Sequence, residues 1–559
     1  MDATNMPART GGQILVDALV AQGVDHVFCV PGESYLAALD AFYDTDVEIT
    51  ICRQEGGAGM MADAYSRLTG RPGICFVTRG PGATNVSPAI HIAGQDSNPL
   101  IVFIGQVGRD MRHREAFQEV DYAAVFGSMT KWAAEIDDAA RIPEFVHRSF
   151  MTAMNGRPGP VVLALPEDML AGDAIAPATP YAEAIPTAPA PSAMDRLAGL
   201  LATAEKPMMV LGGTRWTPQA LNDIRAFAET FDLPVGCQFR RQMLFDSTHP
   251  NYAGDVGIGP NPALAKRVRE ADVLLLVGGR MSEMPSSSYT LIDIPTPAQT
   301  LVHVHASAEE LGRVYAPALG IHADVASFAA AAAALPAPAR RPWSDETRAA
   351  NAAYHAWSGT PPPLPGACDY GAIVAWLRDR LPADAVICNG AGNYATWLHR
   401  YLRYRGFGTQ LAPTSGSMGY GVPAAVAAKR LEPDRMVLAF AGDGCFLMNG
   451  QEFATAVQYA LPILVIVVDN GMYGTIRMHQ EREYPGRVIA TPLDNPDFAA
   501  LARAYGGHGE TVEETAAFAP AFERAVASGK PALIHLKVDP EAILPTTTIS
   551  EIREKALAG

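Results

Sequence analysis

The chain has 559 residues, of which 48% are hydrophobic and 18% charged, with a formal net charge of −16 at pH 7. That length exceeds what one core organises and predicts about three domains of ordinary size. The acidic balance, with no run of Lys or Arg, excludes a nucleic-acid surface or an anionic-membrane surface and leaves small-molecule chemistry. The N-terminal MDATNMPART lacks the basic start and apolar core of a signal peptide, and no apolar stretch reaches membrane-spanning length. Seven scattered cysteines (Cys29, Cys52, Cys75, Cys237, Cys368, Cys388, Cys445) form no Cys-x-x-Cys pair and read as reduced, buried thiols. A cytoplasmic location is the expectation.

In the first block, HVFCV, GICFV and LIVFI are short, β-branched and without alternation, as buried parallel strands are. Helical spacing separates them, over residues 11–22 and 57–68 for example. After VEITICRQ comes Glu55, then Gly56-Gly57-Ala58-Gly59-Met60-Met61, a helix start with small residues and apolar flanks. Such a carboxyl can share a proton with a ring nitrogen, but a first-turn glutamate also stabilises a helix dipole, and the residues leave both open. Gly80-Pro81-Gly82-Ala83-Thr84-Asn85 is a turn opening a helix, of the kind that receives an anion or a polar ring.

Ala- and Pro-dense linkers at residues 174–192 and 335–366 divide the chain into expected domains at 1–173, 193–335 and 367–559. MMVLGG, VLLLVGG and LVHVH supply strands to the middle block, and AVICNG, MVLAF, ILVIVV and ALIHLKV to the third. Strands alternating with helices throughout predict an α/β fold class of three doubly wound domains with parallel sheets. TRGPGATN and AGDGCFLMN share the plan of strand, Gly-rich turn and helix, which reads as a duplication.

The third block carries the sharpest chemistry. MVLAF runs into Ala441-Gly442-Asp443-Gly444, and ILVIVV ends in Asp469-Asn470. A right-handed crossover sets the carboxyl ends of these strands side by side, so Asp443 and Asn470 converge at one sheet edge. Two oxygen ligands suit Mg²⁺, which completes its octahedron with backbone carbonyl, water and phosphate oxygens. The site therefore expects a diphosphate.

Together these segments resemble the thiamine diphosphate enzymes, the family of acetolactate synthase, pyruvate oxidase and benzoylformate decarboxylase, over nearly the whole chain. The Gly-Asp-Gly...Asn pattern is similar to the family's cofactor motif, and RQEGGAGMMADAYSRLTGRPG to its activating-glutamate helix. TRGPGATN, GQVGRDMRHREAFQE, NGRPGPVVLALPED and TSGSMGYGVPAA look most like acetolactate synthase. The resemblance implies Mg²⁺ on Asp443, Asn470 and the Met472 carbonyl, with Gly442, Gly444, Cys445, Gly392, Asn393, Tyr394, Tyr473 and Gly474 around the diphosphate. It implies Glu55 as proton partner of the aminopyrimidine, Pro31, Gly32, Thr78 and Asn85 near it, Met418 as the wedge that bends the cofactor, and the Gly416 carbonyl as acceptor of its amine. It further implies a homodimer as the minimum and a homotetramer beyond it, because the two cofactor-binding domains of one site come from different subunits.

For substrate, Phe117 and Gln118 match residues lining the acetolactate synthase pocket, and Gln118 is placed to bond an acyl intermediate. Departures are His479, where acetolactate synthases carry a tryptophan, and Arg79, before the Gly-Pro-Gly, where a small residue is usual. Arg79 and Arg477 are read either as partners of a substrate carboxylate or as ion pairs, and His91 and His113 as ordinary surface or interface histidines. The middle block resembles the domain that holds FAD in some relatives, and Gly212, Gly213, Arg280 and Asp324 are the positions assigned to it, FAD itself being left open. The expected activity is decarboxylation of a pyruvate-like 2-keto acid with carboligation to a second carbonyl compound. A simple 2-keto acid decarboxylase or 2-hydroxyacyl lyase is the alternative, with a flavin oxidoreductase and a non-catalytic subunit as remoter ones.

Overall fold

The computed structural model describes residues 7–558. Three six-stranded sheets carry the architecture, and every strand pairing within them is parallel. A short antiparallel pair, β1 (Arg9–Thr10) with β8 (Asp173–Ala174), closes the first block.

The first sheet is built from β2 (His26–Cys29), β3 (Glu48–Ile51), β4 (Gly73–Val77), β5 (Leu100–Gln106), β6 (Trp132–Glu135) and β7 (Pro160–Pro166). Its order is β3-β2-β4-β5-β7-β6. The inner strands β4, β5 and β7 are buried along their whole length, which is why GICFV and LIVFI show no alternation, whereas edge strands β3 and β6 are partly exposed. Phe76 and Phe103 stack at 4.7 Å in this core. The helix Glu55–Thr69 packs its small residues so closely that a Cβ on Gly59 would lie 2.5 Å from the Ala89 methyl.

The central sheet comprises β9 (Met208–Leu211), β10 (Val235–Gln238), β11 (Tyr252–Val256), β12 (Val273–Val277), β13 (Thr300–His305) and β14 (Leu319–His322), in the order β11-β10-β9-β12-β13-β14. Counting strands within the domain this is 3-2-1-4-5-6, the order of dinucleotide-binding folds. The third sheet comprises β15 (Val386–Asn389), β16 (Gln410–Leu411), β17 (Val437–Gly442), β18 (Leu464–Asp469), β19 (His508–Val512) and β20 (Ala532–Lys537), ordered β16-β15-β17-β18-β20-β19. The first and third sheets thus share the order 2-1-3-4-6-5.

The three sheets fall into two compact units, one ending at Ile185 and taking in Val426–Leu431, the other comprising Pro186–Ala425 and the chain from Glu432 onward. The central and third sheets belong to the same unit. Among the described residues, no helix is long and apolar enough to cross a membrane.

Candidate functional site

In a doubly wound sheet the strand order reverses at one point, and the loops leaving the carboxyl ends of the strands there open a crevice. In the third sheet that point lies between β15 and β17, and the register of β17 against β18, Gly442 opposite Val468, brings Asp443 and Asp469-Asn470 to the same edge. Asp443 starts the helix Asp443–Asn449 and is 3% exposed. Its Oδ1 accepts from the Gly444 amide at 2.9 Å, and its Oδ2 from the Met472 amide at 3.1 Å and from Asn495 Nδ2 at 2.8 Å. The same Asn495 amide donates to Asp469 Oδ1 at 2.8 Å, and Asp469 Oδ2 is 2.8 Å from His535 Nε2.

Burial pushes the Asp443 carboxyl above the usual carboxylate range, and the nearby Asp469 charge adds to this against the hydrogen bonds it accepts. At Asp469 the effect of burial is outweighed by donors at His535, Gly471 and Asn495, which hold its carboxyl below that range. Two carboxylates sharing one amide, one of them resisting its own charge, form a setting that a divalent cation relieves. The donor set of Asp443, Asn470 and the Met472 backbone therefore fits Mg²⁺. Among the described residues no group of three or more His, Cys, Asp or Glu side chains is arranged to hold a metal, so any ion here would draw on amide, carbonyl and phosphate oxygens.

Glycines shape the cradle beside these groups. A Cβ on Gly444 would come within 2.5 Å of the Tyr473 ring, one on Gly442 within 3.2 Å of Tyr394, and one on Gly390 within 2.6 Å of Cys445 Sγ. Tyr394 Oη lies 3.5 Å from that same sulfur. Asn393 Oδ1 accepts from Thr475 Oγ1 at 2.8 Å, which fastens the Gly392–Tyr394 turn to the start of the helix Gly474–Glu483. Gly416, at φ +70, and a half-buried Met418 sit in the loop after β16, and a Cβ on Gly416 would meet nothing within 4 Å.

The corresponding edge of the first sheet gathers the other expected group. Pro31-Gly32 follow β2, Glu55 follows β3 and Thr78 follows β4, three neighbouring strands. Glu55 is half-buried, and its Oε2 accepts from Asn85 Nδ2 at 2.9 Å. A Cβ on Gly82 would stand 3.2 Å from Glu55 Oε1, so glycine keeps the space beside that oxygen clear. Gln118, at φ +64, lies against the Gly80 turn, and Phe117 is 72% exposed. Arg79 donates to Glu167 at 2.8 Å and to Glu33 at 3.1 Å, bracing the ends of β2, β4 and β7. Arg477 donates to Glu481 at 2.9 and 2.8 Å, and His479 on the same helix is exposed. Both arginines are thus committed to carboxylates of this chain. His91 and His113 are exposed.

The central sheet reverses between β9 and β12, where Gly212-Gly213 and Gly278-Gly279-Arg280 emerge. The Gln238 amide lies across this point, because Cβ atoms on Gly212 and Gly279 would come within 2.1 and 2.2 Å of its Oε1. Arg241 Nε donates to the Gly213 carbonyl at 2.9 Å. Asp324 caps the helix Val325–Ala333 through the Ser327 amide and also accepts from Thr187 N at 2.7 Å. The Gln238 side chain and Arg241 therefore lie at the floor and edge of this crevice, and Asp324 caps the helix beside it.

Sequence reasoning missed Asn495, His535 and Gln238. His535 alone left a signal, a histidine inside the apolar run ALIHLKV; Asn495 lies in irregular chain with no motif around it.

Three family models match this chain: the N-terminal TPP binding domain of thiamine pyrophosphate enzymes over residues 9–125, their central domain over 194–332, and their C-terminal TPP binding domain over 390–536. The chain is 31% identical to acetolactate synthase isozyme 2 large subunit of Escherichia coli (strain K12), over 98% of its own length and 99% of that protein. It is 30% identical to the acetolactate synthase large subunit of Parasynechococcus marenigrum, covering 96% of this chain and 89% of the relative. Against the acetolactate synthase large subunit of Corynebacterium glutamicum the identity is 29%, covering 92% and 84%.

Proposed function

Because the chain belongs to the thiamine pyrophosphate enzymes, we propose that it decarboxylates a pyruvate-like 2-keto acid and joins the remaining fragment to a second carbonyl compound. The cofactor, when bound with Mg²⁺, supplies the electron sink for the carbanion that decarboxylation leaves. Asp443, Asn470 and the Met472 carbonyl would hold the ion, with Gly392, Asn393, Tyr394, Gly442, Gly444, Cys445, Tyr473 and Gly474 along the diphosphate. Glu55, steadied by Asn85, would hold and return a proton at the aminopyrimidine, within the shell of Pro31, Gly32 and Thr78. Met418 would pack against the bound cofactor, with the Gly416 carbonyl as acceptor for its amine. Gln118 and Phe117 would face the substrate.

The observation that carries this reading is the pair Asp443 and Asp469 bridged by one Asn495 amide at the reversal edge of the third sheet. A buried carboxylate pushed toward its neutral form is poorly placed for a purely structural role and well placed for a cation. The names of the relatives support acetolactate formation in particular. A simple decarboxylase is kept as the second reading for a specific reason: Arg79 and Arg477 are both paired internally, which leaves the carboxylate of an acceptor keto acid without an assigned partner. Gly212, Gly213, Arg280 and Asp324 would be the positions for FAD, and no part of the proposed reaction depends on it.

We assign Glu55 and Asp443 of one chain to two different sites, so that a homodimer is the smallest active form and a homotetramer is consistent with it. Purified protein reconstituted with thiamine diphosphate and Mg²⁺ and given pyruvate should form acetolactate. Acetaldehyde as the main product would favour the decarboxylase, and turnover unaffected by removing both cofactors would overturn the proposal. A panel of 2-keto acids with products identified by mass spectrometry then sets the acceptor.

A further inference from the structure

At the end of β10 the chain turns through Gln238-Phe239-Arg240-Arg241-Gln242, and this turn grips the third domain. Arg240 Nη1 donates to the Pro413 carbonyl at 2.5 Å and Nη2 to the Gly390 carbonyl at 2.8 Å. Gly390 opens the turn that runs through Gly392, Asn393 and Tyr394. Pro413 leads into Gly416 and Met418, and its carbonyl also accepts from the Gly416 amide at 3.2 Å. One guanidinium therefore ties together two loops that leave the paired strands β15 and β16.

The arginine is built into place. It is 4% exposed, its guanidinium lies 4.8 Å from the centre of the Phe239 ring, and its backbone is held at φ +57, a region that residues with side chains avoid unless their surroundings over-determine it. Arg241 Nη1 donates to the Arg240 carbonyl at 2.9 Å. Gln242 exchanges two hydrogen bonds with Gln410 of β16, at 2.9 and 2.8 Å. The Gly390 carbonyl has a further donor in Asn389 Nδ2 at 2.8 Å, so Arg240 is not needed merely to satisfy that oxygen. What the guanidinium adds is a fixed spacing between the two carbonyls, because its planar fork presents both N–H groups at once where an ammonium is a point donor.

We propose that Arg240 of the central domain is a positioning residue for the cofactor, setting the diphosphate turn at Gly392–Tyr394 and the Gly416–Met418 loop in register with each other. This rests on the functional reading above. The full-length protein is titrated with thiamine diphosphate at saturating Mg²⁺ by calorimetry, and Arg240→Ala and Arg240→Lys are compared with the parent, with thermal unfolding of each cofactor-free protein recorded alongside. The expected result is a dissociation constant raised roughly ten- to a hundredfold in Arg240→Ala, as for loss of two charge-assisted hydrogen bonds, with a smaller rise in Arg240→Lys. Methylguanidinium added to folded Arg240→Ala should recover part of the affinity, which a general loss of packing would not allow.

Binding within about twofold of the parent in folded Arg240→Ala, or an affinity loss with no response to methylguanidinium, overturns the positioning role. If Arg240→Ala does not fold, Arg240→Lys decides by the same criterion of altered against parental affinity. Absence of binding by the parent itself would sink the functional reading, an outcome distinct from either.

Discussion

Asn495 illustrates what a single side chain contributes at this edge. Its amide sits between Asp443 and Asp469 and donates to both, while His535 holds the far oxygen of Asp469. Without it the two carboxylates would face each other across an edge where one is already pushed toward its neutral form. Asn495→Ala is expected to keep the fold and to weaken Mg²⁺-dependent cofactor binding about tenfold, the scale of a charge-assisted hydrogen bond. A calorimetric titration equal to the parent's would remove Asn495 from the site. Asp443→Ala should be more severe, abolishing Mg²⁺ dependence because the ion loses its charged ligand. Glu55→Gln is nearly isosteric and can still accept from Asn85, so thermal unfolding should be unchanged while exchange of the thiazolium proton, followed by NMR, slows by orders of magnitude; exchange at the parental rate would refute the role given to Glu55.

Among the elements, the helix Ile549–Ala558 is tied to the helix Gly474–Glu483 by a buried charge. Glu481 on the helix Gly474–Glu483 is fully buried and accepts from Arg477 and Arg553, the latter at 2.8 and 2.6 Å, beside an apolar cluster of Met472, Met478, Ile543 and Ile549. Hydrogen bonding to Arg553 lowers the Glu481 carboxyl from its ordinary 4.5 to about 2, against the opposing effect of burial. A depressed carboxylate stabilises the folded chain above its unfolded pKa, and that contribution is lost as pH falls through the folded value. Protection of residues 549–558 in hydrogen exchange should therefore hold at neutral pH and decay as pH descends from 4.5 toward about 2. Glu481→Gln should raise exchange there already at neutral pH and flatten the acid response; an unchanged profile would detach the helix from this ion pair. Since the helix Gly474–Glu483 begins three residues beyond Gly471 and the cluster includes Met472, the cluster also anchors one end of the candidate metal loop.

For the molecule as a whole, the common strand order of the first and third sheets agrees with the shared plan of strand, glycine turn and helix seen in TRGPGATN and AGDGCFLMN. Each of these sheets places its candidate residues near its own reversal point, and the central sheet is wound in a different order. If Glu55 and Asp443 of one chain serve different sites, two inactive variants can repair each other. Mixing Glu55→Gln with Asp443→Ala after dissociation and reassociation should restore about a quarter of parental activity, since half of randomly paired dimers would hold one intact site of two. No recovery, with mixed dimers demonstrated by mass, would place both groups in one chain's own site.

The amino-acid sequence by itself determined the α/β class, the parallel sheets and the glycine turns, because burial on both faces removes alternation and glycine is required wherever Tyr473, Tyr394 or Cys445 presses on the backbone. It also carried the convergence of Asp443 with Asn470, since each sits next to a strand end and a crossover fixes where strand ends go, whereas the bond from Asn85 to Glu55 came only with the fold. Only the tertiary structure decided the pairing of Arg79 with Glu33 and Glu167, the bridge made by Asn495, the position of Gln238 against Gly212 and Gly279 and the reach of Arg240 to Gly390 and Pro413. Those contacts join residues distant in the chain through the ends of long side chains. Local periodicity registers which face a residue occupies, but not which remote carbonyl or carboxylate its side chain will meet.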